Sequence, residues 1–237
     1  MPTGLVAILV LTAVELETRA LARALSLPPL PSLPFPAFGR GTLRIAPVGI
    51  GAVRLKERWP ALVSASDSPL VVSAGVCGAL DPRLHVGDLV VCDSVIDGVG
   101  ARLSVTASAS QRAAAAKGAH ASTGAMVSSG EVVTTPEAKA ALHAKTGGVA
   151  VDMESAAILE AAALHGCASM ILRGVSDDAR ETLPAELMAV MDTDGRIRVG
   201  KMLALARPRV LAAALRLQRA SGQALGAVAD SLARLAA

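Results

Sequence analysis

The sequence predicts an α/β fold, a three-layer α/β/α arrangement around a mixed, mostly parallel central sheet. Two observations predict it. Short apolar runs alternate with helical segments along most of the 237 residues, which calls for a sheet covered on both faces. Several of those runs are continuously apolar rather than alternating, as in strands buried on both sides. A chain of this length can bury a sizeable core as a single domain, and no interdomain linker or internal repeat interrupts it.

The elements follow in order. Residues 4–11 (GLVAILVL) form a first buried strand, and ELETRALARAL after it reads as a helix. Five prolines between 28 and 36 demand a loop. TLRIAPVGIG is a strand running into a glycine turn, and residues 52–66 are helical. LVVSAGVCGAL and DLVVCDSVI are two further strands, and the Ala-rich stretch 107–121 is read as helix. GEVVT (130–134) is read as a strand, with Thr135 as N-cap and Pro136 opening a short helix. GGVAVDM is a strand, ESAAILEAAALHG a helix stopped by Gly166, and CASMILRGVS the next strand. LPAELMAV and a C-terminal segment from about 201 to 237 are helical.

Composition excludes several classes. Hydrophobic residues are 52% and charged residues 18%, so the chain is not disordered. Aromatics are limited to Phe35, Phe38 and Trp59, so Val, Leu, Ile and Ala must build the core. A net charge of +3, with no basic cluster interleaved with aromatics, gives no footprint for nucleic acid. Cys77, Cys92 and Cys167 form no CxxC pair, and the four histidines show no metal spacing, so buried free thiols and no metal site are expected. The N-terminal apolar run is too short to span a bilayer and lacks a positive flank, so a cytoplasmic protein is expected.

Four groups of residues could carry chemistry. Glu17 stands just after the first strand, where it is either an ordinary acid at a helix N-terminus or a site residue. Glycine turns at VGIGAVR and SAGVCGALDPRLHVGDLVV would let backbone N–H groups approach a ligand. VDMES puts Met153 and Glu154 at the mouth of a helix, where a carboxylate can accept two hydrogen bonds from a vicinal diol and the dipole favours its ionised form. Arg173, Ser176 and Asp177 close an apolar strand, the place where binding groups converge in α/β sheets.

These strings resemble the nucleoside phosphorylase and nucleosidase superfamily, and in particular the methylthioadenosine/S-adenosylhomocysteine nucleosidases. The resemblance implies roles. Glu17 would orient the attacking water, and Gly75, Val76, Cys77 and Gly78 would line the base and the nucleophile end of the pocket. Met153 and Glu154 would hold the ribose. Asp177, positioned by Ser176, would protonate purine N7 as the glycosidic bond lengthens. The chain departs from the pattern in two places. Phosphorolytic members carry an Arg before the first glycine turn and a Ser or Thr within it, where Ser73 and Val76 stand here; Arg19, Arg40 and Arg44 are the candidates to replace that phosphate site. Nucleosidases stack a Phe on the purine about where Val133 stands, and Val132 and Val133 offer only apolar contact.

Within the superfamily the chain most resembles phosphorylases associated with hopanoid biosynthesis. The segments that carry this are GALDPRLHVGDLVV, VVTTPEAKAALHAKTG, AVDMES and DTDGRIRVGKMLALARPRVLAAALRL. It implies release of adenine from adenosylhopane, by phosphorolysis or hydrolysis, with phosphate as the one possible co-substrate and no other cofactor. A nucleosidase acting on methylthioadenosine, S-adenosylhomocysteine or futalosine, and a non-catalytic nucleoside-binding protein, are the alternatives. The family also implies a homo-oligomer. Lys201, Arg207, Arg209, Arg216 and Arg219, set among Leu, Ala and Val without an acid, are either the solvated face of a packed helix or a contact for an anionic membrane surface.

Overall fold

A computed structural model describes residues 7–63, 68–118, 120–184 and 208–237. It bears out the alternation of strands and helices. The elements are β1 (Ile8–Thr12), α1 (Glu15–Ala24), β2 (Phe38–Arg40), β3 (Leu43–Pro47), a 3-10 turn (Ile50–Ala52), α2 (Leu55–Leu62), β4 (Leu70–Ala79), β5 (Leu89–Ile96) and β6 (Arg102–Ser104). They continue with α3 (Ala109–Ala116), β7 (Ala121–Ser128), α4 (Pro136–Thr146), β8 (Ala150–Asp152), α5 (Ser155–Leu164), β9 (Ser169–Asp177) and α6 (Pro208–Ala236).

The sheet is mixed. Strands β1 and β3, β1 and β4, β4 and β9, β5 and β7, and β7 and β8 pair parallel; β2–β3, β4–β8, β5–β6 and β5–β9 pair antiparallel. Because β4, β9, β5, β7 and β8 each pair with the next and β8 pairs back to β4, five strands close into a ring, a feature that apolar periodicity does not reveal. Side chains alternate along the strands. Leu70 and Val72 of β4 join a core with Leu21 and Ala22 of α1, Ala115 of α3 and Leu225, Val228, Ala229 and Leu232 of α6. Val71 points the other way, into a second core with Leu55, Trp59 and Leu62 of α2 and Ile158 and Ala162 of α5. Two helix layers thus sandwich the sheet. The α6 stripe recurs at helical spacing, and it lies so close to β9 that a Cβ on Gly174 would stand 2.3 Å from the Ala224 carbonyl oxygen.

Several boundaries differ from those predicted. GEVVT is not a strand; the strand lies upstream at 121–128, a stretch that beyond its first residue the sequence assigns to no element, and the helix predicted over 107–121 spans Ala109–Ala116. Ala121–Ser128 is ASTGAMVS, whose small residues hide the pattern, and pairing with β5 and β8 decides its conformation. Strands β2 and β6, three residues each, escaped prediction because a run so short carries no periodicity. Thr135 does cap α4, accepting from the Ala138 N–H, with Pro136 at its first turn. Gly166 ends α5 in the left-handed conformation at φ 66°. LPAELMAV beyond Pro184 and residues 201–207 lie outside the described residues. All three cysteines are buried and unpaired.

Candidate active site

The site begins with a gap in the sheet. One edge of β4 pairs with β9 along Val71–Gly78. The opposite edge pairs with β1 over Leu70–Ser73 and with β8 at Gly78 and Ala79. Between them, among the described residues, that edge has no strand neighbour from Ala74 to Cys77. Glu17 enters there from the first turn of α1. Its Oε2 accepts from the N–H groups of Ala13 and Val14 at 3.0 and 3.3 Å, and its Oε1 accepts from the N–H of Val76 at 2.9 Å. An acid serving only its own helix would not reach across to β4. Burial pushes the Glu17 carboxyl above its usual range, opposed by Arg173 and by the three N–H donors. Gly75 makes the crossing possible: at φ 146° it adopts a backbone few other residues tolerate, and a Cβ there would stand 2.6 Å from both Glu17 Oε1 and Arg173 Nη1.

Arg173, on β9, is the fully buried hub of the nucleophile end. Its guanidinium pairs with Asp152 at 2.7 Å and with Glu154 at 3.6 Å, and donates to the Ser73 hydroxyl and the Ala74 carbonyl. Burial alone would lower its pKa, but Asp152, Glu154 and Glu17 together hold it above the ordinary arginine value. Asp152 also accepts from the Ser155 N–H and hydroxyl at the start of α5. This leaves Glu154 free of its helix. Glu154 Oε1 instead accepts from the N–H of Gly51 at 2.9 Å, which gives the modest GIG turn a clear task. The expectation that the helix terminus keeps Glu154 ionised needs correction: burial pushes its pKa up to about 7, with Arg173 opposing and Asp152 reinforcing the rise. Met153 is half-buried beside it.

The opposite end of the gap belongs to β9 and α4. Ser176 donates to Asp177 Oδ1 at 2.9 Å and lies 3.2 Å from the Cys77 carbonyl. A Cβ on Gly78 would stand 3.0 Å from Asp177 Oδ2. Burial drives the Cys77 thiol upward, which makes it an inert wall rather than a nucleophile. Asp178 accepts from the N–H of Arg180 in a turn and is no rival to Asp177.

Sequence reasoning missed Lys139. It is fully buried on α4 and its Nζ lies 2.5 Å from Asp177 Oδ2. A signal was available: Lys139 precedes Leu142, the large apolar residue of α4, by three positions and therefore shares its inward face. Val133 packs against Leu80, Val127 and Val151 in the loop before α4, while Val132 is 42% exposed, so only Val133 is placed to line an apolar wall.

The three arginines proposed for phosphate are not brought to this cluster. Arg19 pairs with Glu15 at 2.6 Å and lies over the Phe38 ring. Arg40 donates to the Ser26 carbonyl and Arg44 to the Leu62 carbonyl. Arg44 pairs in register with Leu9, at the start of β1, whereas Glu17 follows the other end of that strand. Among the described residues no group of His, Cys, Asp and Glu is arranged to hold a metal ion.

The sequence matches the phosphorylase superfamily over residues 8–205. No curated protein matches it significantly. Among solved structures, the Helicobacter pylori 5′-methylthioadenosine/S-adenosylhomocysteine nucleosidase with butyl-thio-DADMe-Immucillin-A is similar at TM-score 0.72 and 17% identity, covering 98% of both chains. The futalosine hydrolase of Helicobacter pylori is similar at TM-score 0.71 and 18% identity, covering 98% of this chain and 97% of that one. The Neisseria meningitidis 5′-methylthioadenosine/S-adenosylhomocysteine nucleosidase with methylthio-immucillin-A gives TM-score 0.70 and 22% identity, over 96% and 97% of the two chains. Likeness at these identities establishes the fold.

Proposed function

Since the chain belongs to the phosphorylase superfamily, whose enzymes cleave glycosidic bonds, we propose that it releases the base of a purine nucleoside by hydrolysing the N-glycosidic bond. One observation carries this reading. Glu17 and Asp177 reach the same short stretch of β4 from opposite ends of the chain, one bound at Val76 and the other set against Gly78. Two residues of strand separate those points of β4 by about 7 Å.

The chemistry follows from the two ends. Asp177 donates to N7, so the electron pair of the breaking bond settles on a neutral base. Glu154, once ionised, accepts from the ribose 2′- and 3′-hydroxyls and favours the cationic sugar. Glu17 orients water on the face opposite the base. Water is favoured over phosphate because Glu17, Asp152 and Glu154 surround the single guanidinium of Arg173, and this excess of acids repels a phosphate dianion.

The nucleoside we assign is adenosylhopane. The hopanoid-type segments support this, as does a base wall built from Val133 rather than an aromatic ring. Among the described residues no helix is long and apolar enough to cross a membrane. On α6, however, Leu211 and Leu215 are about half exposed beside Arg209, Arg216 and Arg219, a surface suited to anionic lipid. Absence of binding in liposome flotation would remove that contact.

The deciding experiment incubates the protein with adenosylhopane, methylthioadenosine and futalosine, with and without phosphate, and measures free base. Adenine from adenosylhopane at a rate indifferent to phosphate is expected. Release from a small nucleoside instead would change the 5′ group, acceleration by phosphate would change the nucleophile, and tight adenosine binding without release would make this a binding protein.

A further inference from the structure

We propose that Lys139 is a positioning residue that holds, on its ammonium, the proton that Asp177 passes to the departing base. The assignment rests on the nucleosidase reading above.

Lys139 is fully buried, and its ammonium donates to Asp177 Oδ2 at 2.5 Å, the Asp178 carbonyl at 2.7 Å and the Glu181 carbonyl at 3.3 Å. Its three protons therefore have three acceptors, and none points to bulk solvent. Asp177 has the hydroxyl proton of Ser176 on one oxygen and the ammonium on the other. In both contacts Asp177 is the acceptor, yet a donor is what a leaving purine needs. The geometry resolves this conflict internally. An ammonium–carboxylate pair and an amine–carboxylic acid pair contain the same number of protons, and they differ only in where one proton sits along a 2.5 Å line. When a purine covers the site it excludes water, which penalises the charged pair. It also sets the N7 lone pair against the carboxylate. Both changes move the proton from Nζ to Asp177.

The step balances. The Nζ–H bond breaks and an O–H bond forms on Asp177; that bond then breaks as N7–H forms and the N9–C1′ pair returns to the purine. Lys139 is left as a neutral amine and Asp177 as a carboxylate. Water adds to C1′, and the proton it sheds toward Glu17 is replaced on Lys139 through solvent once product leaves. Among the described residues, the charged and titratable groups that interact with the pair are Cys77 of β4 and, from the segment after β9, Asp178 and Glu181. On α4 itself His143 is engaged with the Gly148 carbonyl.

The test compares purine release with release of 4-nitrophenol from the 4-nitrophenyl riboside bearing the same 5′ group, a leaving group that needs no acid. In Lys139→Met, purine kcat/KM is expected to fall about 100-fold or more at pH 8. Nitrophenol release should stay within about threefold of wild type, which also certifies the fold. Lys139→Gln, a donor with no proton to give, should behave alike. Purine release in Lys139→Met or Lys139→Gln within about threefold of wild type, or equal losses on both substrates, would overturn the relay alone. Wild-type protein that frees no base from any purine nucleoside would overturn the hydrolase reading and the relay with it.

Discussion

Replacing Asp177 by Asn tests the geometry on stability and on chemistry at once. The substitution keeps a side-chain oxygen for Lys139 but removes the charge that compensates a fully buried ammonium 2.5 Å away. Breaking one side of a buried ion pair costs about 3–5 kcal/mol, and the surviving hydrogen bond puts this case near the lower end. In a chain of 237 residues each kcal/mol moves Tm by about 2–4 °C, so Asp177→Asn should lower Tm by about 6–12 °C. Loss of the general acid should cut purine release by about 10²–10⁴, or roughly 3–5 kcal/mol of barrier. Adding Lys139→Met removes the stranded charge, so the double variant should recover most of the lost Tm and none of the activity. Thermal denaturation followed by circular dichroism at pH 7, with base release in parallel, measures both. A single variant within about 1 °C of wild type, or within about threefold in turnover, would refute the pairing and the acid role respectively.

Three further outcomes follow from single contacts. Glu154 has its pKa raised from 4.5 to about 7, so its contribution to stability is fully present below pH 4.5 and lost as pH rises through about 7, while ribose binding needs the ionised form; KM should therefore improve and Tm decline across that window, and both trends should flatten in Glu154→Gln. Gly75→Ala meets Glu17 Oε1 and Arg173 Nη1 at 2.6 Å on a φ of 146°, and should lose turnover more than tenfold while keeping its helical circular dichroism spectrum; wild-type rates would contradict the gap geometry. Gly174→Ala meets the Ala224 backbone at 2.3 Å and should cost about 1–3 kcal/mol in urea denaturation by lifting α6 from β9, with an unchanged midpoint counting against that packing.

Much of this was legible in the chain because it depends on local order. Continuous apolar runs marked β1, β4, β5 and β9; Thr135 with Pro136, and Gly166, marked helix ends through capping chemistry that acts within one turn. Glu17, Glu154 and Asp177 could be singled out because each stands where a regular element starts or stops. Strand β7 was illegible, because Ala, Ser, Thr and Gly carry too little hydrophobic contrast to distinguish a strand from a helix.

What only the folded chain decided are relations between distant segments. That β1 and β8 share one edge of β4 and, among the described residues, leave Ala74–Cys77 open depends on pairings between residues more than sixty positions apart, so no window of sequence contains the gap that Glu17 fills. The same holds for Arg173, which reads as an ordinary strand residue until Asp152 and Glu154 fold around it. Helix position could suggest that Glu154 is ionised, but its pKa depends on how much water the tertiary structure removes and which charges it leaves nearby, and burial outweighed the helix terminus. Lys139 shows the limit most directly. Helix spacing puts Lys139 on the inward face of α4, but only the arrival of Asp177, Asp178 and Glu181, 38 to 42 residues downstream, supplies the acceptors that let an ammonium be buried there.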